Sequence, residues 1–183
     1  MNSQANIGEC GHSLYVGIDN GVSGSIGVIN AYGKLVAFVA MPVVEMQDYT
    51  KTKKNIHRIN VPALNTFLSS LITAYGKDDV RRIRVFLERP MVNPMRFVAT
   101  ASALRALEAT LIALENQGLA VQFVDSKQWQ KVMLPQGIKG SPELKQASME
   151  IGLRLFPCVS IEIRKQKDAD SLLLAECARR EKW

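Results

Sequence analysis

Three short apolar runs open the chain. Leu14 to Ile18, Ser25 to Asn30 and Leu35 to Met41 each read as a strand, with Asn20-Gly21 and Tyr32-Gly33 supplying the turns. Links this short favour antiparallel neighbours, because parallel ones need long crossovers. The chain therefore begins with a three-stranded meander. A polar, basic stretch from Gln47 to Asn60 follows, then a helix beginning near Pro62 with the stripe Leu64, Phe67, Leu68 and Leu71. Arg84 to Leu87 is a fourth strand that ends in Glu88. Pro90 to Phe97 reads as a loop leading into an Ala/Leu-rich helix, Thr100 to Gln117, closed by Gly118. Ala120 to Val124 is another strand, SKQWQKV a short helix and PQGIKG a mobile loop. Ser141-Pro142-Glu143 caps a helix to about Leu155, and a last helix holds Asp170 to Arg180. This order predicts an α/β fold with a mixed sheet, part antiparallel meander and part parallel, flanked by helices. Residues 1–12 are expected to form a flexible tail and 13–183 one domain.

Composition adds a bias toward anionic partners. The 183 residues are 47% hydrophobic, enough for one packed core, and 23 Lys+Arg against 17 Asp+Glu leave a net charge of +6. No apolar run approaches the roughly 18 residues of a membrane span, and the polar start MNSQANIGECGHS lacks signal-peptide character. The expectation is a soluble, intracellular protein, in a bacterial or phage-infected cytoplasm or an organelle. Cys10, Cys158 and Cys177 are too scattered for a zinc site or a disulfide framework, and His12 and His57 lack partners at ligand spacing.

The candidate chemistry lies in four acids. In a mixed sheet the first and fourth strands can run parallel side by side, so that side chains at their carboxyl ends share one crevice. Asp19 and Glu88 stand at those ends. Asp168 and Asp170 stand at the start of the last helix, where its dipole favours ionised carboxylates. If that helix docks at the same end, four acids meet, and a divalent cation relieves their repulsion. Oxygen-only ligation points to Mg²⁺ or Mn²⁺ rather than Zn²⁺. Two such ions about 4 Å apart can act on both sides of a phosphodiester. Three of the acids also have a plainer role: Asp19 as a turn residue, Glu88 as an ion-pair partner of Arg89, Asp168 as a helix N-cap.

Five segments occur in a recognisable order: YVGIDNGVSGSIGVIN with a following MP, VFLERP, VDSKQWQKVMLPQG, RLFP and RKQKDADSLLLAECARR. Together they resemble the RuvC-like Holliday-junction resolvases of the RNase H-like superfamily, in the branch found in phages and chloroplasts. The resemblance implies an RNase H-like fold and a homodimeric endonuclease that cuts four-way DNA junctions in recombination and repair. It also implies Mg²⁺ held by Asp19, Glu88, Asp170 and one further acid just before the last helix. The family spaces its last two acids Asp-x-x-Asp, which here falls on Lys167, while Lys165 and Gln166 fill the upstream positions used by other members. Either Asp168 serves as the fourth ligand or one metal position is weakened. Lys167 is a candidate to steady the attacking water or the phosphate.

Several groups can meet DNA. Lys51, Lys53, Lys54, His57 and Arg58 form a basic loop, either a phosphate clamp or solvated decoration. Lys127 and Lys131 lie near a basic position of the family pattern, and Lys139 lies in the loop after them. Arg89, Asn93, Arg96 and Phe97 follow Glu88 and suit base edges or unstacked bases, though Phe97 and Trp129 also read as core. The helix from Thr100 to Gln117 is the candidate dimer interface. Two other classes remain open: an RNA-processing nuclease of the same superfamily, and a junction-binding protein with weakened catalysis. DNGVSGS also resembles the first phosphate loop of actin-like kinases, but their duplicated domain and second loop do not fit in 183 residues.

Overall fold

A computed structural model describes residues 13–51, 53–77 and 79–183. The tail 1–12, with Cys10 and His12, lies outside them. The meander forms as its spacing predicts: β1 (Leu14–Ile18), β2 (Ser25–Asn30) and β3 (Leu35–Ala40) pair antiparallel. The polar, basic stretch from Gln47 to Asn60, in which no strand was read from sequence, holds the second strand of a two-stranded sheet of β4 (Val43–Gln47) and β5 (Asn55–Ile59). Charged residues and an entirely exposed β4 hide the alternation that marks a half-buried strand.

Next comes α1 (Val61–Leu71), whose N-cap Asn60 accepts from the Ala63 N–H at 3.2 Å. β6 (Ile83–Glu88) runs parallel to β1, and after α2 (Phe97–Asn116) the strand β7 (Val121–Val124) runs parallel to β6. The five-stranded sheet thus has the order β3-β2-β1-β6-β7. The remaining helices are α3 (Ser126–Met133), α4 (Ser141–Leu155), α5 (Ser160–Gln166) and α6 (Asp170–Arg180). The pattern did not announce α5, which is seven residues long. The N-cap of α4 is Gly140, with no side-chain bond, where the sequence pointed to Ser141.

Alternation along the strands separates two cores. Leu14, Val16, Ile18, Val85 and Leu87 face α1 and α2, while Phe86 and Val124 face the side covered by α3 to α6. α2 begins earlier than Thr100 because a turn of 3-10 helix at Pro94–Arg96 runs straight into it. The joined stretch Pro94–Asn116 holds an 18-residue window of mean hydropathy 1.5 and is long and apolar enough, by length and composition, to cross a membrane. Its Ala106, Thr110, Ala113 and Leu114 are buried.

Two glycines decide where α6 lies. Gly17 and Gly27 are cross-strand partners, and a Cβ on Gly27 would stand 2.6 Å from the Leu172 nitrogen. One on Gly17 would stand 2.8 Å from the nitrogen of Ala175. With neither side chain present, α6 rests directly on β1 and β2. The Ser25 and Ser171 hydroxyls, 2.7 Å apart, pin the same contact.

Candidate metal centre

Parallel pairing places the first two acids. Ile18 of β1 lies opposite Leu87 of β6, so Asp19 and Glu88 emerge as neighbours at the carboxyl ends of both strands. By the two-residue period Asp19 shares a face with Gly17, and Glu88 with Phe86, the face covered by α6. The first residue of α6 is Asp170, delivered to this end by the seat on Gly17 and Gly27. Oxygens of Asp19, Asp168 and Asp170 all lie within 4.8 Å of one another, with Asp168 wholly buried and the other two partly so.

Each acid is held. The Asp19 N–H donates to Ser25 O at 3.0 Å, closing the β1–β2 loop. A Cβ on Gly24 would meet that turn, 3.3 Å from Asp19 Oδ2. Gln166 at the end of α5 donates to Ser23 O (2.7 Å) and Gly24 O (3.2 Å). Glu88 Oε2 accepts from the buried Trp129 indole at 2.7 Å. Trp129 is therefore core, as one reading had it, and also orients an acid. Glu88 does not pair with Arg89, which bonds Asp125 at 3.4 Å and lies over the Phe123 ring.

α4 grips the last two acids. Lys145 donates to Asp168 Oδ2 at 2.9 Å, and the Ser148 hydroxyl accepts from the Ala169 N–H at 3.2 Å. Gly152, one turn further, leaves room for Ala169. Positions 145, 148 and 152 form one helix face. Sequence reasoning missed Lys145 and Ser148 because nothing in their spacing from the acids, 20 and more residues away, marks them. The N-cap position of α6 falls to Ala169 rather than Asp168, although Asp168 Oδ1 still takes a long bond, 3.5 Å, from the Asp170 N–H.

The electrostatics follow from crowding. Burial first, then the charges of Glu88, Asp170 and Asp168, hold the Asp19 carboxyl well above its usual range, against Lys145. Burial likewise lifts Glu88 to about 7, opposed by the Trp129 hydrogen bond and raised further by Asp170 and Asp168. Asp170 is raised to about 6 by burial and Asp168, against the Ser148 hydroxyl and Lys145. For Lys145, burial disfavours the charge, but the Asp168 bond and the surrounding carboxylates win and raise it. Acids that resist ionising together, offering only oxygen donors, fit a hard divalent cation.

The other candidates disperse. Lys167 is exposed and closes α5 with left-handed backbone at φ 70°. Lys51, Lys53 and Lys54 lie exposed at the turn of the β4–β5 hairpin, and Arg58 is engaged by the Tyr49 hydroxyl at 2.7 Å. Lys127, Lys131 and Lys139 rim a basin of about 490 Å³ floored by Leu134 and Leu144. A cavity of about 280 Å³ beside Glu88 takes in Asn20, Asn93, Arg96 and Thr100. The Asn93 side chain caps the following turn through the Met95 N–H at 3.0 Å. Phe97 is 77% exposed, so it is not core.

No family model matches the chain, and no curated protein sequence matches it. Among solved structures it is similar to RuvC of T. thermophilus in complex with a Holliday junction substrate. That match has 16% identity and a TM-score of 0.58, covering 92% of this chain and 96% of that one. Another Thermus thermophilus RuvC structure aligns over 91% of this chain and 96% of its own at 16% identity, with a TM-score of 0.45. The first likeness gives this chain a RuvC-like, RNase H-like fold.

Proposed function

We propose that the protein is an Mg²⁺-dependent endonuclease that resolves four-way DNA junctions by hydrolysing one phosphodiester in each of two strands. The observation that carries this is the convergence of Asp19, Asp168 and Asp170 beside Glu88. It stands at the carboxyl end of the two central strands, in a fold similar to a RuvC solved on a Holliday junction. Asp19, Glu88 and Asp170 would hold Mg²⁺, with Mn²⁺ as a substitute. When bound, the cation supplies Lewis acidity toward the phosphate and activates water for the displacement.

The chain's own residues do the rest. Trp129 and the seat of α6 fix Glu88 and Asp170 before any substrate arrives, which is the preorganisation that phosphoryl chemistry rewards. The Lys127, Lys131 and Lys139 basin, and Arg96 in the cavity beside Glu88, would supply positive charge for the backbone. Exposed Phe97 and Met95 offer apolar surfaces on which unstacked bases can rest. Paired cuts require two equivalent sites, which a two-fold dimer supplies. Leu104 and Ile112, exposed on α2 at two turns' spacing, would lie in such an interface.

The test is a synthetic four-way junction, linear duplex and an RNA–DNA hybrid, each incubated with and without Mg²⁺. Paired symmetric nicks in the junction, dependent on Mg²⁺ and lost in Asp19→Asn, are the expected result. Equal cutting of linear duplex, preferential cutting of the hybrid, or junction binding with no nicking would overturn it.

A further inference from the structure

Asp168 is not free to act like the other acids. Its side chain is 1% exposed, and Oδ2 takes the Lys145 ammonium at 2.9 Å, while Oδ1 takes only a long bond, 3.5 Å, from the Asp170 N–H. Lys145 reaches it from the α4 face that also carries Ser148 and Gly152, with half of its own side chain exposed. The two-ion expectation for such sites requires a second dication against this same carboxylate. It would have to displace an ammonium from a buried anion, or sit a few ångströms from it and meet like-charge repulsion.

We propose that Lys145 is a resident second cation: it neutralises Asp168 in place of a divalent ion, so each site takes one metal ion, on Asp19, Asp170 and Glu88. This rests on the metal-site reading above and narrows it. Lys145 comes from the chain itself and is held by α4, whose Ser148 and Gly152 position Ala169 between the two acids. A tethered ammonium keeps one charge and one geometry whatever the Mg²⁺ concentration. Lys145 acts through Asp168 and so positions and neutralises, while the acids facing the substrate bind the metal.

The experiment counts Mn²⁺ bound per chain by electron paramagnetic resonance of the free ion. The metal-free full chain is titrated as wild type, Lys145→Arg, Lys145→Ala and Asp168→Asn. One ion per chain is expected for wild type and for Lys145→Arg, which keeps a cation. Two are expected for Lys145→Ala, the second filling the vacated place at Asp168. Asp168→Asn should still bind one ion, within about threefold of wild-type affinity. Two ions on wild type, an unchanged single ion on Lys145→Ala, or lost binding in Asp168→Asn would overturn the proposal. If Lys145→Ala does not fold, the wild-type and Lys145→Arg counts decide alone. Absence of any bound ion on wild type would instead bring down the metal-site reading itself.

Discussion

Replacing Glu88 by Gln should make the metal-free protein more stable, although it removes a residue of the site. A carboxyl whose pKa folding raises holds its proton more tightly in the folded chain. It costs nothing while protonated in both states, below about pH 4.5. The cost grows as pH rises and is complete above the folded value, about 7 for Glu88. That rise, at roughly 1.4 kcal/mol for each tenfold in proton affinity, amounts to ~3.5 kcal/mol, reduced to ~2 kcal/mol for the water that reaches a partly exposed carboxylate. Gln keeps a carbonyl oxygen for the Trp129 indole, so that hydrogen bond survives. For a domain of this size ~2 kcal/mol corresponds to a Tm rise of about 4–8 °C. Thermal unfolding in EDTA from pH 4 to pH 8 measures it. The gap should be absent at pH 4 and full at pH 8, and Mg²⁺ should raise the wild type more than the variant. A variant no more stable than wild type at pH 8, or a gap that ignores pH, would refute the reasoning.

Other outcomes follow from the same contacts. Divalent-ion affinity should fall as pH drops through about 7 and then 6, where Glu88 and Asp170 take up protons, and calorimetric titration at several pH values reads it directly. Gly27→Ala would drive a Cβ into the backbone of α6 at Leu172, so urea unfolding should show a loss of about 1–3 kcal/mol. Its nicking rate should drop more than its junction affinity. Trp129→Phe keeps most of the ring but deletes the donor to Glu88, costing roughly 1–2 kcal/mol by denaturant unfolding and moving the pH–rate profile to higher pH. Phe97→Ala should leave stability within about 0.5 kcal/mol, because the ring is exposed, while weakening junction binding in a mobility-shift assay.

Strong periodicity made most of the sheet readable. β1, β2 and β6 carry nearly continuous apolar runs because both faces of the sheet are covered, and their lengths and turns fixed their places. The β4–β5 hairpin escaped because its charged, exposed strands carry no burial signal. Short α5 escaped because Ile163 is its one buried residue. Asp19, Glu88 and Asp170 were legible as acids at element ends, where strand direction and helix dipole give position a meaning. What holds them was not: Lys145, Ser148 and Gln166 reach the site across the chain from α4 and α5. Such contacts exist only once α6 rests on Gly17 and Gly27. Those glycines looked like ordinary strand residues, and their importance lies in the absence of a side chain.

The claim that the acid cluster is a metal centre is tested most directly by diffraction from crystals soaked in Mn²⁺, using the ion's anomalous signal. An anomalous peak within coordinating distance of Asp19 and Asp170, next to Glu88 and missing in Asp19→Asn crystals, is the predicted result. An empty cluster under saturating Mn²⁺, or a peak bound by other residues, would contradict it.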